Sequence, residues 1–187
     1  MGRSGLQVSV TRKLVASELL SLDGVAEGLE DLFVGVEDEV IEENAHRRIA
    51  AEDAVLLGRR TFDQWAGFWP TSDIEPFASF INRVEKFIVT SSPLGQAWAN
   101  SSVIQGPLPE FVRSLKEEPG GDIGVHGSIR LAQSLLEAGL VDELQLVIAP
   151  ALKFQGRKLF DKGTPRRLTL TRSVISPNGF LILDFRV

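Results

Sequence analysis

The feature that most constrains this chain is an alternation. Short runs rich in Val, Ile and Leu recur between segments of helical period, and several end in Gly, Ser or Thr. Residues 13–20, 54–57, 86–90, 101–105, 123–125 and 143–148 are such runs. A fully apolar run such as 54–57 needs cover on both faces, the condition of a parallel sheet buried between helices. The intervening spacing predicts a helix from Thr61 to just before Pro70, another over residues 109–118 ahead of Pro119-Gly120-Gly121, and a third over 128–138 with Leu131, Leu135 and Leu136 on one face. The acidic stretch 37–43 leads into a further helix ending near Ala50. Residues 167–174 and 179–185 alternate around Pro177-Asn178-Gly179 and read as an antiparallel hairpin. The expectation is one α/β domain over residues 1–187, with 1–11 as a flexible N-terminal tail.

Composition narrows the function. A chain of 187 residues suits a single domain, and 43% hydrophobic with 24% charged residues excludes intrinsic disorder. The longest apolar runs break well short of the roughly 18 residues a bilayer span needs, so no membrane partner is expected. The N-terminus lacks a basic segment followed by an apolar block, which points to a cytoplasmic protein. With no Cys and two His, disulfides, thiolate nucleophiles and iron–sulfur ligation are out, and no metal site is expected. Net charge is −5 without an extended Lys/Arg block, so a small molecule is a better partner than nucleic acid.

Three polar segments stand at the carboxyl ends of predicted strands, where parallel sheets bind ligands. The first is Gly58-Arg59-Arg60-Thr61: a Gly permits close backbone approach, Thr61 can cap the helix, and two guanidinium groups suit phosphate oxygens. A capped helix with two solvated arginines is the plainer alternative. The second is Thr90-Ser91-Ser92, either a phosphate-holding set of hydroxyls or a polar turn. The third is Gly124-Val125-His126-Gly127-Ser128, where Gly127 permits unusual backbone and Ser128 can cap a helix facing a pyrophosphate. A tight turn with a hydrogen-bonded His126 is its alternative. Together the three outline a nucleotide site.

These residues also carry a resemblance. Asp23-Gly24, residues 56–62, residues 86–91, His126-Gly127-Ser128 with Leu131-Ala132-Gln133, residues 139–144 and residues 156–160 resemble, in order and spacing, the dihydrofolate-reductase-like superfamily. Within it the chain is most similar to the group containing the reductase domain of the riboflavin-biosynthesis deaminase/reductase (the RibD C-terminal domain group), from about residue 12 onward. The resemblance implies an eight-stranded, mostly parallel sheet with helices on both faces, binding NADPH across the strand ends. Carried over by position, Gly58 lies at the turn, Arg59 would reach the adenosine 2′-phosphate, and Arg60 and Thr61 the phosphates. Thr90, Ser91 and Ser92 would border the adenosine end, and His126, Gly127, Ser128 and Ile129 the pyrophosphate and nicotinamide side. Asp23 belongs to a loop bordering nicotinamide and substrate, and is a candidate catalytic acid.

In true dihydrofolate reductases the acid holding the pterin comes from the helix before the Gly-Arg strand, and counting back from Gly58 reaches Glu42, which would then be partly buried. The alternative is a solvated helix face. Trp65, one turn after Thr61, is core or a wall of the substrate pocket, and Phe33 is a candidate to close over the ligand. The reading is an NADPH-dependent reductase of a small, pterin- or pyrimidine-like substrate. Its rivals are 5-amino-6-(5-phosphoribosylamino)uracil reductase, which needs a basic pocket for the substrate phosphate, and a non-catalytic nucleotide-binding domain of the same fold. A homodimer is expected, paired through an edge formed by residues 144–152 and the C-terminal hairpin.

Overall fold

The computed structural model describes residues 12–187, so the expected tail over 1–11 lies outside the described residues. One eight-stranded sheet organises them, formed by β1 (Leu14–Ser21), β2 (Glu52–Gly58), β3 (Glu85–Val89), β4 (Ser101–Val103), β5 (Asp122–His126), β6 (Glu143–Ala149), β7 (Thr169–Ile175) and β8 (Leu181–Arg186). The spatial order is β4-β3-β2-β5-β1-β6-β8-β7. Pairings from β4 to β6 are parallel, whereas β8 runs antiparallel to both β6 and β7. The expected dimer edge is corrected in its first half only, since the C-terminal hairpin does supply an edge strand. β6 is interior, between β1 and β8, and the edges are β4 and β7.

Among the described residues six α-helices flank the sheet: α1 (Glu30–Phe33), α2 (Glu39–Ala50), α3 (Arg59–Phe68), α4 (Phe77–Arg83), α5 (Leu108–Glu117) and α6 (Ile129–Glu137). Alternation along the strands sorts their side chains between two faces. Leu14, Ala16, Leu56, Ile123, Val125 and Leu144 pack with Val112 and Leu115 of α5 and Leu131, Ala132 and Leu135 of α6. On the opposite face Val55, Leu57 and Ile88 meet Phe62 and Ala66 of α3 and Phe80 and Ile81 of α4. Farther along that face Val147, Ala149 and Ile182 meet Phe180, Phe33 and Val40 and Ile41 of α2.

The helix predicted from Thr61 starts two residues earlier, at Arg59, and α1 and α4 escape the periodicity because each is only one to two turns long. A buried cation ties α4 to the sheet. The Lys86 ammonium donates to the Ile81 and Val84 carbonyls at 2.8 Å each and lies 4.7 Å from the Trp98 ring centre. It thereby satisfies carbonyls at a helix end that would otherwise be orphaned. Burial lowers its pKa to about 8.

Leu135 is fully buried in the cluster that α5 and α6 form with the sheet. Leu135→Ala should cost about 2–5 kcal/mol, read as a lower urea midpoint with an unchanged slope.

Candidate functional site

The site follows from which way each strand hands on the chain. β2 runs directly into α3, on one face of the sheet, while its neighbour β5 runs into α6, on the other. β1, on the far side of β5, leads to α1 and α2, back on the α3 face. Strands that part to opposite faces leave a crevice beyond their carboxyl ends. β5 is therefore flanked by two such crevices, and the three polar segments picked out above stand at the ends of β2, β3 and β5.

A hydroxyl pair joins the first crevice. The Ser128 Oγ accepts the Gly58 N–H at 3.1 Å and donates to the Thr61 Oγ1 at 2.9 Å, and Thr61 donates to the Gly127 carbonyl at 3.1 Å. Both residues were expected to cap their own helices. The structure corrects this: Thr61 lies within α3, Ser128 precedes α6, and each hydroxyl reaches across to the other strand's end. Gly58 has an ordinary φ of −71°, and an added Cβ would stand 3.7 Å from the Ser128 Oγ. Gly127 is the position where glycine is required. Its φ is +58°, and a Cβ would lie 2.8 Å from the Trp65 ring.

Next to this joint a groove of about 560 Å³ opens along the ends of β3 and β4, lined by Arg59, Val89, Thr90, Ser91, Ser92, Ile104, Gly106 and Leu108. Apolar walls from Val89, Ile104 and Leu108 suit a flat ring, with hydroxyls and a guanidinium beside them. Arg59 spans two strand ends: its Nη1 donates to the Ser92 Oγ at 2.8 Å and the Pro93 carbonyl at 2.7 Å, and its Nε to the Asp63 carboxylate at 2.8 Å. Arg60 points elsewhere. It is 65% exposed and pairs with Glu27 at 3.1 Å, an acid that also takes Arg157 at 2.8 Å.

His126 does not face the groove. Its Nε2 meets the Glu52 Oε2 at 2.7 Å, fully inside, with Phe77 and Phe80 edge-on against the ring at 5.4 and 6.1 Å. Gly124 makes room for this pair, since a Cβ there would collide with the Glu52 carboxylate and stand 2.7 Å from the His126 Nε2. His126 is thus corrected from a ligand contact to a buried partner of Glu52. Trp65 belongs to the same aromatic group, edge-on to Trp69 at 5.8 Å and Phe77 at 5.5 Å, with its ring against Gly127. Phe33 is corrected similarly: half-buried, it packs on Phe180 at 5.4 Å, against the third core cluster.

The model of the RibD C-terminal domain matches residues 12–182, nearly the whole chain. The chain belongs to the RibD C-terminal domain family. A curated relative, the uncharacterised protein YyaP of Bacillus subtilis (strain 168), is 32% identical over 111 residues, which make up 58% of this chain and 59% of that protein. Solved structures share the fold. A pyrimidine reductase-like protein from Corynebacterium diphtheriae superposes with a TM-score of 0.67 at 17% identity, covering 94% of this chain and 92% of that one. A diaminohydroxyphosphoribosylaminopyrimidine deaminase/5-amino-6-(5-phosphoribosylamino)uracil reductase from Thermotoga maritima has a TM-score of 0.67 at 14% identity. That match covers 94% of this chain but 56% of the Thermotoga protein.

The two candidate acids of this RibD C-terminal domain differ from expectation. Asp23 accepts the Lys153 and Phe154 N–H groups at 2.9 Å each and the Ser21 hydroxyl at 2.7 Å. Those bonds, that from Lys153 first, pull its carboxyl down to about 2, so it holds a loop as a carboxylate and has no proton to give near neutrality. Glu42 lies on the exposed side of α2, beside a small acidic recess with Glu37, Asp38 and Glu39. It is solvated rather than partly buried, which removes the geometric basis for a substrate acid.

The buried acid of this site is Glu18, which sequence reasoning missed. Ser17 pairs with His126, the last residue of β5, so Glu18 is the first β1 residue standing beyond that strand's end. It alternates with Ala16 and Leu20 onto the α6 face and is 2% exposed, and its Oε1 has no hydrogen-bond partner among the described residues. Burial pushes the carboxyl up to about 8, against the opposing pull of the Arg48 charge and the Ser128 N–H.

That shift sets a sign. An acid raised from 4.5 to about 8 on folding binds more protons in the native than in the unfolded state across that interval. Its contribution to stability is full below pH 4.5 and is lost as pH rises through 8. Glu18→Gln should abolish this component, so the melting temperature of the variant relative to wild type should climb from pH 5 to pH 8. A difference that stays flat would show that Glu18 ionises as freely folded as unfolded.

Proposed function

We propose that this domain is an NADPH-dependent reductase acting on a small, uncharged heterocycle such as a pterin or pyrimidine. The observation that carries the reading is the groove lined by Arg59, which follows directly on the Gly58–Ser128 joint to the amino end of α6. The residues present fit the cofactor. The groove offers apolar walls for adenine and a fixed guanidinium with hydroxyls for a 2′-phosphate. Gly127, with its left-handed backbone, brings the chain close at the start of α6, whose free N–H groups suit a pyrophosphate.

When bound, NADPH would supply a hydride from C4 of its nicotinamide to a C=N or C=O carbon of the substrate. The chain's own part is alignment and exclusion of competing geometries. With Asp23 held ionised and Glu42 solvated, the accompanying proton comes from water or from Glu18, whose buried carboxyl stays protonated near neutrality. A phosphorylated substrate finds less support, because most cations near the ends of β1 and β6 already have carboxylate partners, Arg60 and Arg157 on Glu27 and Lys153 on Asp31 at 2.7 Å, which leaves Lys158 as the unpaired one among the described residues.

Cofactor choice tests the reading without knowledge of the substrate. A hydrogen bond to a charged group contributes roughly 1.5–3 kcal/mol, and about 1.4 kcal/mol is a decade in affinity. Arg59→Ala should weaken NADPH by about one to two decades and leave NADH nearly unchanged, with quenching of tryptophan emission as the signal. Equal losses for both cofactors, or a wild type without preference for NADPH, would remove Arg59 from the 2′-phosphate and the reading with it.

A further inference from the structure

Resting on the assignment of the Arg59 groove to the adenosine end, we propose that Asp63 is a specificity-determining residue there, its carboxylate offsetting the Arg59 charge and weakening selection for a 2′-phosphorylated dinucleotide. Arg59 and Asp63 stand one turn apart on α3, and the Arg59 Nε donates to both carboxylate oxygens, at 2.9 and 2.8 Å. The Nη1 edge is held independently by the Ser92 Oγ at 2.8 Å, the Ser92 carbonyl at 3.3 Å and the Pro93 carbonyl at 2.7 Å. Three contacts already orient the guanidinium without Asp63. Only Nη2 makes no hydrogen bond among the described residues, and its two N–H groups are those a ligand would meet.

The carboxylate therefore adds little to orientation and much to charge. A 2′-phosphate carries nearly two negative charges and needs charged donors in place of its hydration. Here it approaches a paired Arg–Asp unit. Asp63 does not itself line the groove, and both of its carboxylate oxygens accept from the Arg59 Nε, so its charge acts on the ligand through Arg59. Asp63 is 43% exposed and Arg59 30%, so the offset has the size of an exposed ion pair, about two- to fivefold in affinity.

The test uses 2′,5′-ADP and 5′-AMP, which differ by the 2′-phosphate alone, titrated calorimetrically into wild type and Asp63→Asn. Asparagine keeps the size of the side chain and an oxygen that accepts from the Arg59 Nε, so the difference reports charge. The expected result is 2′,5′-ADP bound about two- to fivefold tighter by the variant at low salt, with 5′-AMP unchanged. That gain should fade near 1 M salt, where screening acts over about 3 Å. Unchanged or weaker binding of 2′,5′-ADP by Asp63→Asn would overturn the proposal and make Asp63 an orienting residue. Failure of the wild type to bind either probe or NADPH would overturn the nucleotide assignment itself, and this proposal with it.

Discussion

The Ser128 hydroxyl is the joint on which the strand-end architecture depends. β2 and β5 lie side by side, yet their chains depart to opposite faces of the sheet, so nothing in the ladder itself holds their ends together once the strands finish. One oxygen does so by accepting from Gly58 and donating to Thr61, which passes its own proton to the Gly127 carbonyl. Ser128 is buried, so an unmet Gly58 N–H would cost about 1–3 kcal/mol. The spacing of the α3 and α6 amino ends, and with it the reach from Arg59 to Gly127, is set by three hydrogen bonds between residues nearly seventy positions apart.

That long separation explains what could be read from the sequence and what could not. The strands and the longer helices were legible because burial on two faces writes itself into apolar runs and helical spacing. The strand-end location of Gly58, Thr90 and Gly127 followed from the same pattern. The direction of the Thr61 and Ser128 hydroxyls did not, because a Ser or Thr before a helix has a local partner available and local rules choose it. Only the parallel pairing of β2 with β5 brings a better one within reach.

Buried charge was the least legible feature. Glu18 and Glu52 occur in runs where an acid ordinarily marks the solvent side of a strand, and His126 stands next to a turn. Their burial depends on segments that arrive later in the chain: the Ser128 N–H at the start of α6 meets Glu18, while α4 sets Phe77 and Phe80 against the His126 that meets Glu52. Gly124 was the one available sign. A glycine inside an apolar strand marks a close approach, and here the approaching groups are the Glu52 carboxylate and the His126 ring.

The distribution of charge carries the argument one step further. The net charge is −5, and of the cations near the strand ends Arg59, Arg60, Lys153 and Arg157 each already meet a carboxylate, while Arg130 and Lys158 form no ion pair among the described residues. Long-range attraction therefore does little to gather an anionic ligand, and partly exposed pairs of this kind are worth little individually. Recognition must then come from groups whose direction is fixed before the ligand arrives: the Arg59 fork held by the 92–93 carbonyls, and the backbone at Gly127 wedged against Trp65. Preorganisation of this kind lowers the ordering cost of binding rather than adding contacts. It also explains why an enclosed aromatic cluster and a buried Glu52–His126 pair lie directly behind the strand ends. They are the rigid support that keeps a weakly charged site in one geometry.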